Sequence, residues 1–281
     1  MLKLPFKVDL SGKVAVVTGA GGVLCSVFSE ALAHCGAHVA LLNRSIEGAK
    51  AAADSITKAG FSAKPYVCDV LNVDSVLAAR DAVLSDFGPA DILVNGAGGN
   101  NPTATTDDEF FDPEHLGEMK TFFDLDLEGV GMVFNLNYLG TLIPSQIFGK
   151  DMIGRSCSIV NISSMNAYTP LTKIPAYSGA KAAVSNLTQW MATYFAKSGI
   201  RCNGIAPGFF STKQNAALLF NPDGTPTART GKILASTPMG RFGEPQELIG
   251  ALLFLVCEEA SSFVNGVVIP VDGAFNAYSG V

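Results

Sequence analysis

The chain has 281 residues, 48% of them hydrophobic and only 16% charged, against a usual charged share of about 25%, which excludes a disordered protein. Nineteen Lys and Arg against 25 Asp and Glu leave a net charge of −6, so no basic field exists to gather nucleic acid or anionic lipid. The longest apolar run, Leu248 to Val256 with one glycine, falls short of the roughly 20 residues of a membrane span, and the start MLKLPFKVDLSGK lacks the apolar stretch of a signal peptide. A cytoplasmic protein is expected.

In chain order, strand-length apolar runs stand at Val14–Thr18, Val39–Leu42, Ala63–Cys68, Ile92–Asn95, Ser158–Ile162, Arg201–Ile205 and Val267–Val271. Helical spacing fills Val23–Cys35, Ser45–Ala59, Val73–Phe87, Leu127–Lys150, Pro175–Lys197 and Pro245–Cys257, with Ser45, Asp74 and Glu244 near helix starts. Continuous rather than alternating hydrophobicity implies strands buried on both faces. The expected fold is a doubly wound, Rossmann-type α/β parallel sheet of about seven strands with helices on both faces. No repeat or linker divides the chain, so residues 1–281 read as one domain. Two loop insertions, near 98–126 and 209–238, break the rhythm and form the expected substrate side; the first is acidic, with Asp107, Asp108, Glu109 and Asp112 among its carboxylates. The six cysteines, Cys25, Cys35, Cys68, Cys157, Cys202 and Cys257, lack the spacing of a zinc site and read as buried small hydrophobes; no metal is expected.

Thr18-Gly19-Ala20-Gly21-Gly22 joins the first strand to a helix, a turn in which backbone N–H groups can approach a pyrophosphate at the helix N-terminus. Alone it is a weak signal. It is followed in order by Asn95-Gly96-Ala97-Gly98, Asn-Ile-Ser-Ser at 161–164, Tyr177-Ser-Gly-Ala-Lys181 and Pro207-Gly208. This series, spanning most of the chain, resembles the short-chain dehydrogenase/reductase family. The resemblance implies an NAD(P)-dependent enzyme acting on CH–OH groups. Three positions depart from it: Val23 and Cys25 stand where the family carries glycines, and Gly96 where it carries asparagine.

By that resemblance the cofactor residues are Gly19, Gly21, Gly22, Val23 and Leu24 at the first turn, Asn43 and Arg44 after the second strand, and Asp69 and Val70 after the third. Asn95, Ala97 and Gly98 follow the fourth strand, Tyr177 and Lys181 hold the nicotinamide ribose, and Pro207, Gly208, Phe210 and Thr212 flank the nicotinamide. Leu42-Asn43-Arg44-Ser45 carries no carboxylate for the ribose hydroxyls, whereas Arg44 with Ser45 suits a 2′-phosphate. NADP(H) is therefore favoured, with NAD(H) as the alternative. Phe210 either shields a nicotinamide face or belongs to the core.

Tyr177 and Lys181, four residues apart, share one helix face. A phenol of pKa about 10 is a poor acid–base catalyst near neutrality, and a neighbouring ammonium pulls that pKa down, so Lys181 is the expected tuner. By resemblance Ser164, thirteen residues before Tyr177, is the catalytic serine that donates to the reacting oxygen; Ser163 points to the opposite strand face. Asn137 matches the family asparagine holding a water in the proton relay, with Asn135 as a nearby decoy.

Gly21-Gly22-Val23-Leu24-Cys25, Ala97-Gly98-Gly99-Asn100-Asn101-Pro102 and the C-terminal Val271-Asp272-Gly273-Ala274-Phe275 resemble the family's D-mannonate oxidoreductase (fructuronate reductase) branch. That implies D-fructuronate/D-mannonate as substrate. Ser164, Asn100, Asn101, Asn166, Lys213 and Arg229 are candidates to hold its hydroxyls and carboxylate. The alternatives are another sugar acid or polyol, of the gluconate/5-ketogluconate type, or a non-catalytic dinucleotide sensor. A homotetramer is expected from the family and from the apolar tail and long helices.

Overall fold

The computed structural model describes residues 8–211, 219, 221, 223 and 225–280. Seven parallel strands, β1 (Val14–Thr18), β2 (His38–Asn43), β3 (Ala63–Val67), β4 (Ile92–Asn95), β5 (Cys157–Ile162), β6 (Ile200–Pro207) and β7 (Val268–Val271), form one sheet in the order 3-2-1-4-5-6-7. Successive residues of β1 serve opposite cores. Ala15 and Val17 pack with Phe28, Leu32, Ala53 and Leu252 on one face, and Val14 and Val16 pack with Val76, Phe148, Met152 and Leu187 on the other. This explains the unbroken apolar runs of the inner strands. Edge strand β3 tolerates Pro65 because it pairs with β2 alone.

The first face is covered by α1 (Val23–His34), α2 (Ile46–Lys58) and α8 (Ile249–Val256), the second by α3 (Val73–Asp86), α5 (Gly140–Met152) and α6 (Pro175–Tyr194). Ser45 is the N-cap of α2 and Glu244 opens the 3₁₀ turn Pro245–Leu248. Asn72 rather than Asp74 caps α3, its side chain accepting from Ser75 N. The single helix expected over Leu127–Lys150 is divided: α4 (Leu127–Phe134) passes through a π turn, Asn135–Leu139, into α5. Two shorter helices, α7 (Ala228–Ala235) and one at Glu258–Ser261, lie in the C-terminal part. Strand order reverses between β1 and β4, and a crevice opens beyond the carboxyl ends of such a pair.

Candidate active site

At that switch point Thr18 Oγ1 accepts from Gly96 N and Ala97 N, tying the loops after β1 and β4 together. Gly19 has φ +66, and a Cβ on it would lie 2.9 Å from Ala97, so both its conformation and its neighbour demand glycine. A cleft of about 470 Å³ opens here, and ten of the expected cofactor residues line it: Gly19, Gly22, Val23, Leu24, Asn43, Arg44, Asp69, Val70, Ala97 and Gly98. Gly22 is the N-cap of α1 and supplies no side-chain cap. The first-turn N–H groups therefore suit an anion such as a pyrophosphate. At the rim Arg44 is exposed and among the described residues has no carboxylate partner. The Ser45 hydroxyl donates to Glu47. Asp69 accepts from Leu71 N and is not the cap of α3.

Several expected cofactor residues also serve the scaffold. Asn95 is buried and donates to Ser145 Oγ and Asn161 Oδ1, bracing β4 against α5 and β5. Gly21 is small because Asn43 and Gly48 crowd it, with a Cβ falling 2.9 Å from Asn43 Nδ2. A Cβ on Gly208 would meet Asp272 at 2.6 Å, and Pro207 pairs with Val271 in the sheet. Phe210 is core: it packs with Leu248 and Leu252, and its ring fills the space beside Gly243. Thr212 and Lys213 lie outside the described residues.

Two departures from the family pattern explain each other. Cys25 is buried against the loop after β4, and a Cβ on Gly96 would fall 2.1 Å from its sulfur. The cysteine sulfur at 25 thus requires glycine at 96. Burial pushes the Cys25 thiol up to about 12, so it stays protonated. Gly96→Ala should lower stability by about 1–3 kcal/mol through overpacking, and adding Cys25→Ala should recover at least half of that loss in thermal melts. Unaltered stability of Gly96→Ala would refute the steric coupling. Gly96 and Cys25 both line the cleft, as do Leu71 and Leu136. Gly96 could have been found from its motif, whereas nothing local marks the two leucines.

Beyond Gly98 the polar residues converge. Ser164, 7% exposed, begins a 3₁₀ turn at the end of β5 and hydrogen-bonds Tyr177, which stands in the first turn of α6. Ser163 is turned away into a bond with Ser185 Oγ and donates to Lys181 O. Lys181 is buried, its Nζ donating to Ile162 O at 2.8 Å and lying 5.7 Å from the Tyr177 ring centre. Asn137 is fully buried, whereas Asn135 is exposed. Its amide donates to Gly99 O and to Val133 O, the carbonyl an α-helical N–H at 137 would use, which fits its place in the π turn. A Cβ on Gly98 would lie 2.6 Å from Asn137 Oδ1 and 3.1 Å from Lys181 Nζ, so glycine there admits both groups to one spot.

Burial dominates the electrostatics. It pushes Lys181 down from 10.5 to about 8. It also raises Tyr177, which the Ser164 hydrogen bond only partly offsets. The expected lowering of the phenol by Lys181 is therefore not realised: desolvation wins, with the ammonium directed at Ile162 O.

Of the expected substrate groups, Asn101 is consumed as a cap, its Oδ1 accepting from Thr103 N. Asn100 is exposed and donates weakly to Thr105 Oγ1 at 3.4 Å. Asn166 is buried beside Ser164 with its amide oxygen unpartnered. Arg229 sits on α7 at a second cleft. Among the described residues no helix is long and apolar enough to cross a membrane.

The family model for short chain dehydrogenase matches residues 13–221. An uncharacterized oxidoreductase of Haemophilus influenzae is 58% identical over 97% of this chain and 96% of its own length. A solved structure from Haemophilus, described as a candidate D-mannonate oxidoreductase with bound NAD, is 57% identical, with a TM-score of 0.95 over 99% of this chain and 100% of that one. The gluconate 5-dehydrogenase of Burkholderia cenocepacia, solved with NADP and tartrate, is 31% identical, with a TM-score of 0.81 over 98% of this chain and 99% of that one. The chain belongs to the short-chain dehydrogenase family and is an NAD(P)-dependent oxidoreductase.

Proposed function

We propose that the protein interconverts a ketone and a secondary alcohol of a six-carbon sugar acid, D-fructuronate and D-mannonate, with Ser164, Tyr177, Lys181 and Asn137 as its catalytic set. The convergence of these four residues beside the glycine-lined cleft carries the reading of mechanism. The high identity to the Haemophilus neighbour supports the substrate. When bound, the dinucleotide supplies or accepts the hydride. Tyr177, kept protonated by burial, gives its proton to the ketone oxygen as that oxygen gains charge, and Ser164 donates a second hydrogen bond to it. Lys181 brings positive charge within reach of the phenol and of the ribose. Asn137 has both amide hydrogens engaged and its oxygen accepting from Gly99 N, leaving acceptor capacity for a water of the proton relay. The unpartnered oxygen of Asn166 suits a substrate hydroxyl.

The test is absorbance at 340 nm with NADPH and NADH separately against fructuronate, 5-ketogluconate and fructose. Preferential reduction of fructuronate supports the assignment; turnover of another carbonyl alone keeps the mechanism and discards the substrate. The second reading, a gluconate 5-dehydrogenase, is favoured by the fold-wide likeness to the Burkholderia enzyme. Arg44, a cation at the cleft rim, favours NADP(H), while the NAD in the Haemophilus structure favours NAD(H). Arg44→Ala should raise the KM for NADPH about tenfold, the loss of one charge-assisted bond, and leave that for NADH within about twofold. Equal effects on both would remove Arg44 from phosphate recognition. A homotetramer accords with the exposed, stacked Trp190 and Tyr194 on α6, and light scattering of the purified protein tests it.

A further inference from the structure

The acidic insertion is not the repulsive surface its composition suggests. Asp112, Asp124 and Asp126 accept from backbone N–H groups as local caps, and Asp107 accepts from Lys120 N. Among the described residues Glu109 alone of these carboxylates reaches across to another element, both oxygens accepting from Lys232 Nζ of α7 at 2.8 Å. Beside this pair opens a cleft of about 400 Å³, also lined by Lys173, Ile174, Phe209 and Arg229. Ile174 is the N-cap of α6, three residues before Tyr177, and Phe209 follows the Pro207-Gly208 turn. The wall of the cleft thus includes the residue that opens the helix carrying Tyr177.

Its charge opposes that of the chain. Lys173, Arg229 and Lys232 are offset only by Glu109 among its lining residues, in a protein of net charge −6. Lys173 Nζ donates to a carbonyl, Asp107 O, at 2.7 Å rather than to a carboxylate. Its backbone is held at φ +72, with Lys173 O accepting from Thr106 N of the insertion. A non-glycine residue fixed in that region is uncommon and points to an over-determined site. Arg229 has no ion-pair partner among the described residues and lies one helical turn from Lys232. The Glu109–Lys232 pair is solvent-exposed, with side chains 31% and 68% accessible, and such pairs are held weakly.

We propose that this cleft receives the carboxylate of the substrate, on Lys232 and Arg229, and that Glu109 occupies the carboxylate position on Lys232 until the substrate displaces it. This rests on the sugar-acid reading and makes Lys232 the residue that separates acids from neutral keto sugars. A cleft of this volume holds a six-carbon sugar acid. Cationic walls also draw an anion toward the reacting groups.

The test compares wild type, Lys232→Met, Lys232→Arg and Glu109→Gln as full-length proteins. The ratio of kcat/KM for fructuronate to that for fructose should fall at least tenfold in Lys232→Met and stay within about threefold in Lys232→Arg. It should rise about threefold or more in Glu109→Gln, through a lower KM for the acid. Calorimetric titration of D-mannonate into enzyme with reduced dinucleotide reads the same exchange without turnover: tighter in Glu109→Gln, weaker in Lys232→Met, with D-mannitol as the neutral control. Fructuronate reduction with unchanged ratios and affinities in all variants would overturn the carboxylate site and leave the sugar-acid reading standing. D-mannonate affinities that shift as stated, in an enzyme that reduces no sugar acid, would uphold the site and overturn the reaction.

Discussion

Tyr177→Phe is expected to lower kcat by about 10³-fold, within the range a positioned acid–base group supplies, and to leave dinucleotide affinity within about twofold. The phenol hydroxyl is the part of Tyr177 that carries chemistry; its ring packs beside Ala104, Val133 and Ala180, and phenylalanine keeps that packing. Ser164 loses one hydrogen-bond partner, and the buried Lys181 keeps its bond to Ile162 O. The cleft proposed for the dinucleotide is built mainly from loops after β1 to β4, remote in chain order from the substitution. Stopped-flow measurement of hydride transfer, paired with fluorescence titration of the reduced dinucleotide, separates the two effects. Persistence of turnover at wild-type rate would remove Tyr177 from proton transfer and with it the proposed mechanism.

The sheet is legible because helices on both faces leave the inner strands uniformly apolar, and all seven strands are expected to within one residue of each end, except that β6 runs on two residues to Pro207. The choice of Ser164 over Ser163 rested on strand alternation, and the structure turns Ser163 toward Ser185. Asn137 over Asn135 follows from the family resemblance, since both stand in a π turn where the α-helical period does not hold; the structure buries Asn137 and exposes Asn135. Three residues of the cofactor motifs carry structural roles that their motifs do not announce. Asn95, Gly208 and Phe210 lie in motifs that border the cofactor, yet each is constrained by a neighbour distant in sequence: Ser145 and Asn161, Asp272, and Gly243. Local pattern cannot distinguish a residue that lines a cleft from one that holds the wall of that cleft in place. The same limit hid Lys173 and Lys232. Neither belongs to a motif, and only the docking of the insertion against α7 brings them to one cleft with Glu109 and Arg229.

Lys181→Met should abolish turnover and at the same time stabilise the dinucleotide-free protein. The ammonium is about 95% buried, and its pKa falls from 10.5 to about 8 because burial disfavours the charge. At 1.4 kcal/mol per unit, holding that charge inside costs about 3 kcal/mol at neutral pH. Methionine restores packing without charge but leaves Ile162 O unpaired, a loss of roughly 1 kcal/mol. The balance is a gain of about 2 kcal/mol, a rise in melting temperature of roughly 5 °C for a chain of this size. The pH dependence identifies the cause. Below pH 8 lysine is charged in both folded and unfolded chains, and the full penalty applies. Between pH 8 and 10.5 the unfolded chain binds the extra proton, so wild-type stability rises with pH and the advantage of methionine shrinks. Melting curves of both proteins at pH 7 and pH 10 measure this. A methionine variant that melts lower at pH 7, or a gap unchanged between the two values, would mean the lysine is not held charged against burial. A stabilising substitution at a residue the chemistry needs is the signature of a site where charge is kept for function at the expense of the fold.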